Sequence, residues 1–159
     1  MHEAIKIAYY FVNMGIVDDT PLTNMKLQKV LYLANGMHLA LTGKALLKED
    51  IQAWKYGPVI PSVYNTFKNW GNKPINSPQP SGGLTLDANT QSILLDVWNV
   101  TKSVDGIKLA NWTHLPDSPW AEAAKRALNT PINPRLTEEY FRKSFNLTRQ
   151  ESFADEAVS

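Results

Sequence analysis

A mainly α fold, a compact single-domain bundle of about six helices, is what this sequence predicts, on three observations. Apolar residues recur at i, i+3, i+4 and i+7, the spacing of one helical face, in segment after segment. Capping residues and glycines punctuate those segments, and 159 residues are enough for one hydrophobic core without a disulfide or metal. The expected departure from helix is a short β-hairpin near residues 46–54.

The first helix is expected from Glu3 to about Asn13, where Ile5, Ala8, Tyr9 and Val12 share a face, with Gly15 placed as a left-handed cap. The polar break Asp18-Asp19-Thr20-Pro21 follows. Thr23 or Asn24 then caps a second helix, and Leu22 stands where a hydrophobic staple packs back. From Met25 to about Thr42, Leu27, Val30, Leu31, Ala34, His38 and Leu41 form a stripe that Leu33, Met37 and Ala40 widen, so this helix is expected at the centre. The more polar line through Gln28, Tyr32 and Asn35 is expected to meet solvent or a partner, and Gly43 to end the helix.

Leu46-Leu47 and Ile51 to Trp54, separated by Lys48-Glu49-Asp50, suit the two arms of the hairpin. Tyr56-Gly57-Pro58 is a turn signal, because glycine takes positive φ and proline drives the residue before it out of the helical region. A third helix begins at Pro61 or Ser62, carries Ile60, Val63, Tyr64, Phe67 and Trp70 on one side, and stops at Gly71. Residues 72–83, rich in proline, read as a surface loop within one domain. Asp87 caps the next helix, with Ile93, Leu94, Val97 and Trp98 on its inner face. Asp105-Gly106 opens a short helix through Leu109 and Trp112, Ser118-Pro119 opens another over Trp120 to Leu128, and Thr137 opens the last ahead of Glu138 and Glu139. Apolar content falls from Asn146 onward. The domain is therefore expected to span 1–146, with 147–159 a loosely ordered tail.

Sixteen basic against fifteen acidic residues leave a net charge of +1, so no global field favours a phosphate backbone, and nucleic acid is not an expected partner. Cysteine is absent, which excludes disulfides, thiolate nucleophiles and cysteine-based zinc sites. No apolar run approaches the ~20 residues of a membrane span, and Met1 to Lys6 lacks the pattern of a secretory signal. A cytoplasmic protein without a membrane partner is expected.

Neither a cofactor nor a catalytic residue is assigned, and an enzyme is not expected. Metal ligation would have to draw on His2, His38, His114 and carboxylates, with no His-Glu-x-x-His spacing, and neither a phosphate loop nor a Gly-x-Ser-x-Gly elbow occurs. The enzymatic alternative uses His114 as a base with Asp117 orienting it, beside Ser118. The structural alternative has His114 hydrogen-bond the backbone and fix the loop that carries Trp120 into the core. His38, on the apolar stripe, is expected to be a satisfied core residue.

Candidate partner contacts are Lys26, Lys29, Trp54, Lys55, Tyr56 and Tyr64. Lys26 and Lys29, three apart, project from similar azimuths and can meet an acidic surface or phosphate, or else form a solvated helix edge. Trp54, Tyr56 and Trp70 can form an aromatic partner-binding surface or pack in the core around the hairpin and third helix; Lys55, polar between aromatics, is the better surface candidate. Gly57 and Pro58 are assigned to the turn, and Thr113, His114, Pro119 and Trp120 to a structural motif.

Two blocks of residues carry a family resemblance. Lys26-Leu27-Gln28-Lys29 through Trp54-Lys55-Tyr56-Gly57-Pro58 and Tyr64, followed by Leu109, Thr113-His114, Pro119-Trp120-Ala121 and Tyr140-Phe141, resemble in order the Panacea family, also described as SocA-like or GepA-like. The likeness covers most of residues 3–145. It implies a bacterial or phage-borne antitoxin that neutralises, by direct binding, a toxin encoded by a neighbouring gene. One branch of the family implies the alternative of an adaptor that delivers the toxin to a protease. No added helix-turn-helix module with a basic recognition helix is visible, so a DNA-binding regulator is the weaker expectation.

Overall fold

Helix α2 (Asn24–Thr42) is the axis around which the chain is wound, and thirteen of its nineteen residues are buried. The structure, a computed structural model, describes residues 1–148. The Thr23 hydroxyl accepts the Lys26 amide at 3.2 Å to start α2, and Gly43, at φ +75°, ends it. Around it pack α1 (Ala4–Val17), α3 (Pro61–Phe67) with a following 3₁₀ turn (Lys68–Trp70), α4 (Ala88–Thr101), α5 (Gly106–Thr113) and α7 (Pro134–Ser144), while α6 (Pro119–Arg126) packs on α7 and on the strands that flank it. Phe11, Leu27, Leu31, Phe67, Trp98 and Phe141 meet in the core, all of them almost fully buried.

A small antiparallel sheet, in the order β2-β1-β3, covers one end of this bundle: β1 (Gln52–Trp54), β2 (Gly57–Val59) and β3 (Thr130–Pro131). Gln52 lies opposite Val59, Trp54 opposite Gly57, and Ala53 opposite Thr130. The protein is thus mainly α with a short hairpin. Among the described residues, no helix is long and apolar enough to cross a membrane.

Several departures from the sequence expectations have one cause, long-range contact overriding local signal. The hairpin lies later than expected, with Lys55 and Tyr56 as its turn; Leu47 instead bridges His2, and Asn35 Oδ1 accepts the Leu46 and Leu47 amides at 2.9 and 3.2 Å. Gly57 is the first residue of β2 rather than part of the turn. Gln28, Tyr32 and Asn35 do not face solvent, because α2 is covered on that side too. Gly15 lies inside α1, where a Cβ would stand 2.9 Å from the Thr20 carbonyl oxygen, so it admits the returning loop rather than capping the helix.

At the other end of the chain, α7 begins a turn earlier than expected. Asn133 Oδ1 accepts the Arg135 amide at 2.8 Å, and Thr137, inside the helix, returns its hydroxyl to the Asn133 carbonyl at 3.0 Å. Helix α6 stops at Arg126, short of Leu128. Leu147 still packs on the core, so packing continues past the expected boundary at 146; residues 149–159 of the expected tail lie outside the described residues.

Candidate functional site

The first turns of α2 hold the hairpin and α3 through buried amides. Gln28 Nε2 donates to Asn24 Oδ1 at 3.0 Å, Gln28 Oε1 accepts the Ile60 amide at 2.9 Å, and Asn24 Nδ2 donates to the Tyr64 carbonyl at 3.1 Å. Both side-chain amides, Asn24 and Gln28, are therefore partnered, and together they set where β2 leaves and α3 enters. From the opposite side, Trp120 Nε1 donates to the Trp54 carbonyl at 2.8 Å. Ser118 caps α6 by accepting the Ala121 amide at 3.1 Å and donates to the Thr113 carbonyl at 2.8 Å, with Pro119 in the first helical turn.

This framework leaves a groove of about 520 Å³ between α2, the hairpin and the end of α3. Lys29, Trp54, Lys55, Tyr56 and Tyr64 all line it. The Trp54 and Tyr64 rings meet edge-on at 5.1 Å, and the Trp54 indole donates to Gln52 Oε1 at 2.9 Å. Tyr56 at the turn is 66% exposed, and the Lys55 ammonium lies 5.4 Å from its ring centre. Trp54 is half-buried, and Trp70, also half-buried, packs on the core away from the groove.

Lys26 is the one candidate contact outside the groove lining. Its Nζ donates to the Lys102 carbonyl at 3.0 Å, tying α2 to the end of α4. Burial lowers its pKa, and Asp105 partly offsets that. Lys29 is not the solvated edge that helical spacing allowed. It is 1% exposed, and burial alone lowers its pKa from 10.5 to about 8.

Gly57 explains how a lysine fits there. A Cβ at this position would stand 2.6 Å from Lys29 Cε and 3.2 Å from Thr113 Oγ1, and the residue holds φ +123°. Both the backbone and the close approach require glycine. Pro58, buried behind it, continues the strand opposite Ala53.

His114 caps the end of α5 with its ring edge-on to Trp120, the centroids 4.0 Å apart. Its Nε2 is buried without a hydrogen-bond partner, so the ring positions the loop by packing on Trp120, not by the expected bond. Burial first, and the Lys29 charge second, lower its pKa, so both disfavour the imidazolium form. Among the described residues no hydrogen bond joins His114 to Asp117, and Ser118 Oγ is engaged by the backbone. His38 is half-buried rather than in the core, with Nδ1 2.6 Å from the Lys44 carbonyl oxygen. Among the described residues no group of three or more histidines and carboxylates could hold a metal ion.

Sequence reasoning missed Asn24, Gln28, Met25, Lys68 and Leu128 as groove lining. The two amides had a readable signal, a polar pair four apart at the head of an apolar helix. Leu128 had none, because only the α6–β3 return brings it near α2.

The sequence family described as "Antitoxin SocA-like, Panacea domain" matches residues 27–121 of this chain. The chain is also 38% identical over 71 residues to "Antitoxin SocA" of Caulobacter vibrioides (strain NA1000 / CB15N), a match covering 45% of this chain and 38% of that relative's length. No solved structure matches. Since the family match takes in more than half of the sequence, the chain belongs to the SocA-like Panacea-domain family.

Proposed function

We propose that this Panacea-domain protein is a cytoplasmic antitoxin that neutralises a toxin, encoded by a neighbouring gene, by binding it directly. The observation that carries this reading is the convergence of five residues, separated by up to 35 positions (29 to 64), on one groove lined by half-buried Trp54 and Tyr64 and by exposed Tyr56. Tyr56 and Trp54 have the character of interface anchors, large and rigid with one polar end, and Lys55 and Lys68 are suited to a selective rim. The role itself is supported by family membership and by the likeness to a relative named as an antitoxin. Neutralisation would be by occlusion, without catalysis by this chain.

The test is co-expression with the product of each adjacent gene. Rescue of growth and co-purification of a complex are expected, and loss of both with the Tyr56→Ala variant. If no adjacent product is toxic, or none is rescued, the reading fails. A pulse-chase measurement separates occlusion, in which toxin persists in the complex, from delivery to a protease, in which it disappears.

A further inference from the structure

Lys29 is chemically out of place in the groove it lines. Its side chain is 1% exposed and its stem runs beneath Gly57, yet the five ion pairs among the described residues all join other side chains. No hydrogen bond of the described residues reaches its ammonium either; the neighbouring amides, Asn24 and Gln28, are committed to each other and to the backbone. A buried cation without a counter-charge destabilises a fold, and methionine would fill the same space. The rest of the lining has the same sign of charge. Lys55 and Lys68 flank the groove, and among the described residues neither aspartate nor glutamate lines it.

We propose that the groove receives an acidic segment of the protein partner, with one aspartate or glutamate carboxylate seated on Lys29 Nζ and apolar neighbours against the Trp54, Tyr56 and Tyr64 rings. This deepens the partner-binding reading above and rests on it: it specifies the chemistry of the contact segment. A carboxylate matches the site because its one charge balances one lysine. A phosphate or a nucleic acid is matched elsewhere by forked arginines, clustered backbone amides or a strongly positive field, and this chain has a net charge of only +1. Formed away from water, the pair is expected to contribute more to selectivity than the exposed rim charges do.

The experiment is selection of a random-peptide phage library on the full chain, with the winning sequences then synthesised with blocked termini. Expected are peptides with an aspartate or glutamate at a fixed position beside an apolar residue. Replacing that acid by its amide, or Lys29 by Met, should weaken binding by about tenfold or more. The Lys29→Met protein should melt no lower than wild type. Peptides without acidic enrichment, no peptides at all, equal affinity for Lys29→Met, or displacement by inorganic phosphate or an oligonucleotide would overturn the proposal. Should Lys29→Met fail to fold, the exposed pair Lys55→Glu/Lys68→Glu decides: about tenfold weaker peptide binding supports it, and unchanged binding overturns it. Rescue of growth with acid-indifferent peptides removes this inference and leaves the antitoxin reading standing; acid-dependent peptides without rescue do the reverse.

Discussion

Gly36 and Gly57 both stand aside for a large side chain, and the two contacts differ in kind. A Cβ on Gly36 would enter the Phe141 ring, at the crossing of α2 and α7. That ring, itself fully buried, is packed edge-on by Tyr32 at 5.4 Å and by Trp112 at 5.5 Å, so the junction is an aromatic cluster. Gly57 instead makes room for the stem of Lys29, whose charge is met by no acidic side chain among the described residues and which lines an open groove. The first contact accounts for itself by packing. The second does not, and a feature that lowers stability without local compensation directs attention to binding.

The comparison breaks most visibly at Gly36. Gly36→Ala should destabilise by about 3 kcal/mol, since Phe141 has no free space to enter; a denaturant melt showing a loss within about 0.5 kcal/mol of zero would mean the junction is looser than described.

Lys29→Met should act in the opposite direction. The folded pKa of about 8 lies below the ordinary 10.5, so near neutral pH the folded protein holds a charge it disfavours, and the variant should gain about 3 kcal/mol. Between these two pKa values the unfolded wild type keeps a proton that the folded lysine sheds. Wild-type stability should therefore rise, relative to the variant, as pH climbs through that window, and be lost again as pH falls through about 8. His114, lowered from 6.5, stays neutral there and does not contribute. Melts of both proteins at several pH values measure the difference directly, and a constant gap would contradict the burial argument.

Gly57→Ala should cost about 2 kcal/mol, from positive φ and from the encounter with Lys29 Cε. Part of that cost is shared with Lys29, so a double-mutant cycle with Lys29→Met should show non-additive energies. The smallest effect on the fold belongs to Tyr56→Ala, which should leave stability within about 0.5 kcal/mol of wild type while weakening partner binding by about 2 kcal/mol, as measured by calorimetry on the complex. A large stability loss would make Tyr56 a structural residue.

The contrast also separates what was legible along the chain from what was not. Thr23, Asp87 and Ser118-Pro119 were readable as helix starts because a cap is satisfied within three residues of itself, as the Asp87 carboxylate shows by accepting the Thr90 amide at 2.6 Å. Asn133-Pro134 is as good a local signal as Thr137, and the helix starts there because the Asn133 side chain caps it while Thr137 offers only an acidic turn behind it. The hairpin was anticipated but its register was not, since Leu46-Leu47 had an equal claim to pair until Asn35 engaged both amides.

Helical spacing put Lys26 and Lys29 on neighbouring azimuths and could go no further. Their fates diverge because Lys26 reaches the Lys102 carbonyl at the end of α4, whereas the hairpin and α5 close over Lys29. The sequence by itself determined the helix class, the central place of α2, the family signature and most capping sites, all of which depend on residues a few positions apart. Only the tertiary structure decided that α2 is covered on its polar side, that Gly57 rests on Lys29, and that Leu128 joins the groove. Those depend on which distant segments meet, and burial, which sets the cost of a charge, exists only after they have met.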